Sequence, residues 1–263
     1  MLKFLCILSD MEEQIVDRTN YNIASVNKAF QLIDLLSQKN GQMGVQDLAK
    51  KLDVSPSNIT RLLQTMQEAG FVEKSKATNR YILSNKFYVI TNNMLSHNDC
   101  VQKYLPIAQK VAAKLNATVA LNSMYGKNAV MLARAGSIYR SEDFSTGHLR
   151  PAYCSSAGKA MLSTFSEAQM SAFWRELEFE QFQNNTIMDA SRLQQELEQI
   201  RQHGYAVDRE ERFIGLMSLS FPLTEYAQPY AFTTIMPTSR QRELFSASTI
   251  GYVRKSLDEA KQV

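Results

Sequence analysis

The segment of residues 44–80 constrains the fold of this chain more than any other stretch. Its apolar residues recur at helical spacing in two short blocks, Val45, Leu48, Ala49 and Leu52 in the first and Ile59, Leu62, Leu63 and Met66 in the second. This spacing predicts two amphipathic helices that each bury one face. The segment therefore begins as a helix, a turn and a second helix.

Turn and capping signals separate these two helices and end the second one. Residues 53–55 form a short connection in which Ser55 is a good N-cap, and Pro56 takes the first helical position, where its missing N–H does no harm. Gly70 supplies the left-handed residue that ends many helices. Residues 71–74 and 80–83 then predict two strands around a polar turn. Helix, short turn, helix and hairpin is the order of a winged helix-turn-helix, a DNA-binding fold.

The second helix and the hairpin carry side chains that suit contact with DNA. Hydroxyl, amide and guanidinium groups opposite the apolar face bond base edges and phosphates in the major groove, and cations on the hairpin would lie beside a phosphate backbone. The predicted DNA-binding residues are Ser55, Ser57, Asn58, Thr60, Arg61, Gln64, Lys74, Lys76 and Arg80. A polar helix face occurs in many small domains, but the full order of cap, spacing, stop and basic hairpin favours DNA binding.

Charge supports this interpretation through its distribution. The 263-residue chain has a net charge of only +3 and 21% charged residues, as expected of an ordinary folded protein. Between residues 54 and 90, however, five cations stand against two anions, so the predicted reading helix and wing are locally basic. The length allows two domains.

Cysteine usage and hydropathy bear on the compartment. Cys6, Cys100 and Cys154 show no pattern, which predicts a reducing compartment without a disulfide framework. The apolar run at residues 4–8 is too short to span a membrane and lacks a signal-peptide cleavage site. We expect a cytoplasmic protein with a flexible tail at residues 1–21, in which either Met1 or Met11 is the start. His97 and Cys100 lack further ligands at metal spacing, so no metal is expected.

The residues on either side of the central segment predict further helices. A helix from Ser25 to Asn40 and Gly41 would complete a three-helix core through Val26, Ala29, Phe30, Ile33 and Leu36. Alternatively, its exposed side serves dimer contacts. Residues 84–96 predict a connecting helix and residues 99–116 another, in which Pro106 implies a kink or a later start.

From residue 118 the apolar pattern predicts strands as well as helices. Strands are expected at residues 118–124, 129–133, 205–207, 215–223 and 230–236, with an irregular stretch at 147–157 and helices beginning at Gly158, Ser191 and Phe245. The predicted fold class is α+β. The expected organisation is a tail at residues 1–21, the winged helix-turn-helix at 22–84, a linker helix at 85–98 and an effector-binding and oligomerisation domain at 99–263.

The chain resembles the isocitrate-lyase-regulator (IclR) family of bacterial transcription factors from about residue 23 to the C-terminus. The resemblance rests on RLLQTMQEAGFVEK at residues 61–74, CSSAGKA at 154–160, GYAVDREE at 204–211, and on Gly147, Pro151, Gly215 and Pro222. It implies a GAF-like C-terminal domain that binds a small organic effector, often a carboxylate. It also implies dimers or tetramers that act as repressors or activators, with no cofactor.

The family resemblance also implies an effector site. Its contacts correspond to the backbone of Ser156 and Ala157, the side chains of Asp208 and Ser218, and, more loosely, Thr233. Position 218 is often a cysteine in the family. The family also tends to have small residues where this chain has Phe221 and Met236, which bears on the size of the pocket. Asp208 would accept a hydroxyl or orient a water, or it belongs to a solvated turn.

The segment Ser156-Ala157-Gly158 lies where a helix is predicted to begin, so its free N–H groups and the helix dipole could receive a carboxylate. Alternatively, Gly158 only allows close packing and Ser156 only caps the helix. Both roles are compatible.

Two other functions are possible on sequence grounds. Cys154, six residues after His148, suggests a thiol hydrolase, but catalysis also requires hydrogen-bond reach and a group that orients the base. SAGKA lacks the spacing of a phosphate-binding loop. We therefore expect no enzyme. The remaining alternatives are a C-terminal domain that only oligomerises, and a redox switch at Cys100 or Cys154.

Overall fold

The computed structural model describes residues 23–38, 41–136 and 145–262. Its contacts divide the chain into two compact units, with the division between Asn93 and Met94. The predicted tail at residues 1–21, Cys6 and Asn40 lie outside the described ranges. Within those ranges, no helix combines the length and hydropathy needed to cross a membrane.

The first unit is a winged helix-turn-helix. Its elements are α1 (Ala24–Ser37), α2 (Val45–Leu52), α3 (Pro56–Glu68), β1 (Val72–Lys74) and β2 (Tyr81–Leu83), followed by α4 (Lys86–Ser96) at the division between the units. The three helices and the hairpin share one core, formed by Leu32, Leu36, Leu48, Ala49, Ile59, Leu63, Met66, Val72 and Tyr81. This order of elements confirms the fold that the sequence predicts for this segment.

Local signals explain where α2 and α3 end and begin. Asp53 adopts a left-handed conformation after α2 (φ +51°), and the Ser55 hydroxyl accepts a hydrogen bond from the Asn58 N–H at 3.4 Å. Pro56 is the first residue of α3, and Gly70, with φ of +79°, follows its end. The turn between the two helices is therefore set by a left-handed residue on one side and a cap on the other.

The inward face of α1 differs from the predicted one. Val26 and Phe30, both predicted to be buried, are 44% and 60% exposed. Leu32 and Leu36 are buried instead, with Ala29 and Ile33 packed beside them. Phe30 lies about 100° around the helix axis from Ala29 and so faces away from the core. Val26 lies almost one helical turn before Ala29, the first residue of α1 that packs against the core. The helix also begins at Ala24 and not at Ser25.

The second unit is an α+β domain built on one antiparallel sheet. After α5 (Asp99–Leu115), its strands are β3 (Thr118–Tyr125), β4 (Asn128–Ala135), β5 (Leu149–Pro151), β6 (Ala206–Arg209), β7 (Leu216–Leu223) and β8 (Tyr230–Pro237). The six strands lie in the order β5-β4-β3-β8-β7-β6. The other helices are α6 (Ser156–Leu162), α7 (Glu167–Glu176), α8 (Ala190–His203), α9 (Gln241–Leu244) and α10 (Ala247–Lys261).

Alternation along the central strands gives the sheet two different faces. Leu219, Phe221 and Phe232 belong to an apolar core with residues of α5 and α10. The intervening Ser218 and Ser220 face α6 and hydrogen bond to its first residue, Ser156. The sheet is therefore covered on both sides, and its second face is polar beneath the start of α6.

Three features of the second unit differ from the sequence predictions. Residues 147–157, predicted to be irregular, contain β5, a 3₁₀ turn at Ala152–Cys154 and the start of α6. Helix α5 begins at Asp99 and includes Pro106, so the later start is wrong. The closing helix, predicted from Phe245, begins at Ala247 as α10, and the separate short helix α9 before it was not predicted. A three-residue strand carries too little periodicity to be predicted from sequence.

Candidate functional site

Helix α3 presents a polar face to solvent. Ile59, Leu63 and Met66 are buried against the rest of the unit, while the predicted DNA-contacting residues Ser55, Ser57, Asn58, Arg61 and Gln64 are exposed. The side chains of Arg61 and Gln64 form no hydrogen bond or ion pair with the part of the chain that the structure describes. These two long side chains are therefore available to a partner.

Two predicted DNA contacts on α3 have local hydrogen bonds. The Thr60 hydroxyl, on a half-buried residue, donates to the Pro56 carbonyl at 2.9 Å. The Ser55 and Ser57 hydroxyls lie 3.2 Å apart, and Ser55 also caps the helix. Thr60 can still accept a hydrogen bond. Its donor, however, is used within the helix.

The hairpin places three predicted cations on the surface. Lys74 and Lys76 are exposed, and the Lys74 ammonium lies 5.4 Å from the centre of the Tyr81 ring. Arg80 donates to the Gln42 carbonyl at 3.3 Å and lies 3.9 Å from the Asp47 carboxylate. Arg80 thus helps to hold the hairpin against the segment before α2. Lys74 and Lys76 remain the more accessible cations.

A small cavity of about 20 Å³ lies in the second unit between α6, the ends of β6 and β7, and β8. Five of the six predicted effector-binding residues line it, namely Ser156, Ala157, Asp208, Ser218 and Thr233. A cavity of this size holds about one water molecule, so a small organic ligand would enter only if the lining side chains move apart. Residues far apart in the sequence therefore converge here, and their role in binding an effector stays a prediction.

Hydroxyl groups form a connected network on the side of the sheet that faces α6. The Ser156 Oγ lies 2.6 Å from the Ser218 Oγ and 2.7 Å from the Ser220 Oγ. Ser220 donates to the Thr233 Oγ1 at 2.8 Å, and the Asn122 amide donates to the same oxygen at 2.9 Å. Sequence analysis missed Ser220 and Asn122. Their signal was the polar alternation of their strands.

Gly158 has a packing role and does not line the pocket. A Cβ on Gly158 would lie 2.3 Å from both the Cα and the carbonyl oxygen of Ala152. The N-cap of α6 is Ser155, whose hydroxyl accepts from the Gly158 N–H at 3.2 Å, so the alternative that Ser156 caps this helix is wrong. Helix α6 begins at Ser156, and its first turn adjoins the 3₁₀ turn that contains Ala152.

A buried ion pair lies next to the pocket. The Lys159 ammonium is fully buried, 2.7 Å from the Glu196 carboxylate and 2.5 Å from that of Glu211. Desolvation by burial opposes the charged form of Lys159, but these two carboxylates outweigh it and raise the pKa of the lysine. Glu211 therefore belongs to the core and not to a solvated turn, and sequence analysis missed this role of both residues.

Asp208 is held at the pocket with a perturbed carboxyl group. Its Oδ1 accepts a hydrogen bond from the Glu211 N–H at 2.8 Å. Burial raises the pKa of Asp208 to about 6, although that hydrogen bond and the charges of Lys159 and Arg150 oppose the rise. The carboxyl group can therefore exchange a proton close to neutral pH.

Two arginines that were not identified from the sequence line the pocket. Arg150 on β5 is only 7% exposed. Arg212, which follows the GYAVDREE motif directly, has its guanidinium carbon 4.8 Å from the centre of the Phe182 ring and 5.2 Å from that of Phe213. Among the described residues, the lining therefore includes two cations, Arg150 and Arg212, and one carboxylate, that of Asp208.

The cysteines lack the properties of reactive thiols. Cys100 and Cys154 are buried, and desolvation raises the pKa of each thiol to about 12. A thiolate, which nucleophilic attack and oxidation both require, is therefore rare at neutral pH. Among the described residues, no group of His, Cys, Asp and Glu side chains is placed to hold a metal ion.

The two bulky residues that were expected to affect the size of the pocket do not line it. Phe221 and Met236 lie in the core on the opposite side of the sheet, with residues of α5 and α10. The apolar walls of the pocket are instead formed by Ala157, Phe213, Leu216, Met217 and Ile235. Because side chains alternate between the two faces of the sheet along β7 and β8, Phe221 and Met236 lie on the face away from the site.

Two family models match the chain. The IclR helix-turn-helix domain matches residues 25–76, and the bacterial transcriptional regulator IclR C-terminal domain matches residues 92–261. A similar protein is the DNA-binding transcriptional repressor YiaJ of Escherichia coli K12. It is 25% identical over 245 residues, which cover 88% of this chain and 84% of that protein.

Solved structures share the fold. The crystal structure of an IclR transcriptional regulator from Alicyclobacillus acidocaldarius has a TM-score of 0.75 at 23% identity and covers 91% of this chain and 96% of that chain. An IclR homologue from Microbacterium hydrocarbonoxydans, solved in complex with 4-hydroxybenzoate, has a TM-score of 0.75 at 13% identity. It covers 91% of this chain and 98% of its own.

The close contact at Gly158 predicts a large effect of a single methyl group. We expect Gly158→Ala to lower the free energy of unfolding by about 3 kcal/mol, because the backbone of Ala152 cannot yield as a side chain can. Gly251→Ala is the matched control, since a Cβ there meets nothing within 4 Å in α10 and should stabilise by about 1 kcal/mol. Urea unfolding of both variants measures this. Equal effects would contradict the packing role.

The raised pKa of Asp208 predicts a pH-dependent contribution to stability. Between about pH 4, its ordinary pKa, and about pH 6, the folded state binds more protons than the unfolded state. The contribution of Asp208 to the free energy of unfolding should therefore fall as pH rises through this window, by on the order of 1–3 kcal/mol. The difference in stability between wild type and Asp208→Asn, measured from pH 4 to pH 8, reports this. Asp258→Asn, at an exposed carboxylate outside the pocket, is the control for removal of a carboxylate.

Proposed function

This chain belongs to the IclR family of bacterial transcriptional regulators, and on that premise we propose that a small organic acid bound in its pocket controls its affinity for a DNA operator. The exposed polar face of α3, with Arg61 and Gln64 available, is the observation that carries the DNA-binding part. The convergence of Ser156, Asp208 and Ser218 on one pocket supports the effector part. The proposed place of action is the bacterial cytoplasm.

In this proposal, α3 enters the major groove and the hairpin contacts the backbone. Ser57, Asn58, Arg61 and Gln64 read base edges or phosphates, with Ser55 and Thr60 at the groove edge, and Lys74, Lys76 and Arg80 bind phosphates. Arg61 is the strongest candidate for a base contact because a guanidinium pairs with guanine through two hydrogen bonds. Repression is the proposed mode, since the relative YiaJ is named a repressor.

We propose a homo-oligomer, a dimer or a tetramer. Helix α4 buries none of its residues, and Tyr88, Val89 and Met94 on it are 78%, 59% and 69% exposed. Phe30 on α1 is 60% exposed. Exposed apolar groups of this kind favour contact with another subunit. A two-fold dimer would read two half-sites of a partly palindromic operator.

Effector binding would act through the equilibrium between two arrangements of the linker helices. A ligand that contacts the backbone of Ser156 and Ala157 and the side chains of Asp208, Ser218 and Thr233 would favour one arrangement and so change the spacing of the two reading helices. Coupling of this kind amounts to about 1–3 kcal/mol, or a 5- to 150-fold change in operator affinity. The 4-hydroxybenzoate complex of one structural relative supports a small organic acid as the effector.

Arg61→Ala tests the reading helix. We expect operator affinity to fall about 5- to 150-fold, with loss of sequence preference at one position of each half-site, because a bidentate base contact is removed. Selection from random and genomic DNA at fixed salt, followed by binding titrations, measures both. Lys110→Ala removes an exposed cation from α5 in the second unit and should leave both unchanged. Unchanged preference with Arg61→Ala would exclude this helix as the reader.

Ser218→Ala tests the effector pocket. We expect small hydroxycarboxylates to change operator affinity in the wild type and to lose most of this effect in the variant, because one hydroxyl contact disappears. Ser163→Ala is the matched control, since Ser163 is also a buried serine but bonds the Ala160 carbonyl outside the pocket. Operator titrations with and without each acid measure the effect. Sequence-specific binding that no acid alters would leave a regulator whose second domain only oligomerises.

A further inference from the structure

Arg212 is held rigidly at the wall of the pocket. Its guanidinium contacts the rings of Phe182 and Phe213, and its carbonyl accepts from the Gln183 side chain at 3.4 Å. The preceding carbonyl, of Glu211, accepts from the Thr186 hydroxyl at 2.6 Å. The loop that carries Arg212 is therefore fixed to residues 182–186, and its side chain stacks on aromatic rings, an arrangement that presents the planar guanidinium edge to a ligand.

The charge of Arg212 is not neutralised within the described part of the chain. The guanidinium forms no ion pair and no side-chain hydrogen bond there, and its buried Nε has no acceptor. Lys159, in contrast, is matched by Glu196 and Glu211. A partly buried guanidinium that pairs with no carboxylate gains most from an anionic ligand, because charge-assisted hydrogen bonds are the strong ones.

Where α6 meets the sheet, the polar groups are neutral hydroxyls and not cations. The hydroxyls of Ser156, Ser218, Ser220 and Thr233 are uncharged and bond one another at 2.6–2.8 Å. The three of these hydroxyls that line the pocket, those of Ser156, Ser218 and Thr233, can exchange a partner for a hydroxyl or carbonyl oxygen of a ligand. They supply no charge with which to hold a carboxylate. The pocket therefore has a cationic part and a neutral, hydroxyl-rich part.

We propose that Arg212 is the anion-binding side chain of this pocket and that it selects hydroxy or oxo acids. The carboxylate of the ligand pairs with Arg212, and the neutral oxygen meets the hydroxyl network at Ser156 and Ser218. The inference rests on the proposed effector site and adds to it the direction in which the effector binds and the residue that requires its charge. The apolar part of the ligand, between the carboxylate and the neutral oxygen, would contact Phe213 and Ile235.

The test compares each acid with its uncharged amide. A panel of hydroxycarboxylates of two to seven carbons, including 4-hydroxybenzoate, and the matched primary amides are titrated calorimetrically into the full chain. We expect at least one acid to bind the wild type about 10-fold or more tightly than its amide. Arg212→Gln should weaken binding of the acid by about the same factor and leave binding of the amide unchanged. Arg212→Lys retains the charge but not the two-pronged set of N–H donors, so its affinity for the acid should lie between those of the wild type and Arg212→Gln.

Arg209→Gln is the control variant. Arg209 stacks on the Phe245 ring at 4.8 Å, as Arg212 stacks on its rings, but it does not line the pocket. It should bind acid and amide as the wild type does. Operator binding without any acid should be unchanged in all three variants, which reports on folding.

Each other outcome has a distinct meaning. Equal weakening of acid and amide by Arg212→Gln would overturn this inference and leave Arg212 a structural residue. Acid binding that survives Arg212→Gln would overturn the inference while the effector proposal stands. If no acid in the panel binds the wild type, both the inference and the proposed acid effector are overturned, and operator binding alone then decides the regulator proposal.

Discussion

Burial of the central strands on both faces is the constraint on which the second unit depends. Strands β7 and β8 are covered by α5 and α10 on one side and by α6 on the other. A strand buried twice must satisfy any polar group within the protein. The serine and threonine hydroxyls therefore bond one another and Asn122. This network places paired polar groups inside the domain, beside the pocket, whereas the buried Oγ1 of Thr234 on the other face of β8 has no hydrogen-bond partner among the described residues.

The close approach of α6 to the preceding 3₁₀ turn completes the site. Only a glycine fits at position 158, because a methyl group would overlap the Ala152 backbone. That contact sets the position of Ser156 above the sheet. The buried Lys159, one residue further on, then pairs with Glu196 of α8 and with Glu211. Ion pairs of this kind bring little net stability but strongly disfavour any arrangement that separates the charges. They hold Asp208, near the end of β6, and Arg212, in the loop that follows, at the pocket.

Much of the first unit followed from local signals. Ser55, Pro56 and Gly70 act within a few residues of themselves, so their roles at the ends of α3 could be predicted from sequence. The inward face of α1 could not, because Val26 and Phe30 are as apolar as the residues that are buried. Which stripe faces the core depends on where α2 and α3 stand. For the pocket, the family resemblance identified Ser156, Asp208 and Ser218, but Arg150, Arg212 and Lys159 were missed.

The sequence by itself determined the order of the elements in the winged helix-turn-helix and the α+β class of the second unit, since periodicity, caps and turn residues act over short distances. Only the tertiary structure decided which side chains share the pocket. Arg150 and Arg212 are 62 positions apart in the chain, and nothing local to either shows that both line one cavity. It also separated Phe221 and Met236 from the site, because a strand sends alternate side chains to opposite faces and only packing decides which face meets a ligand.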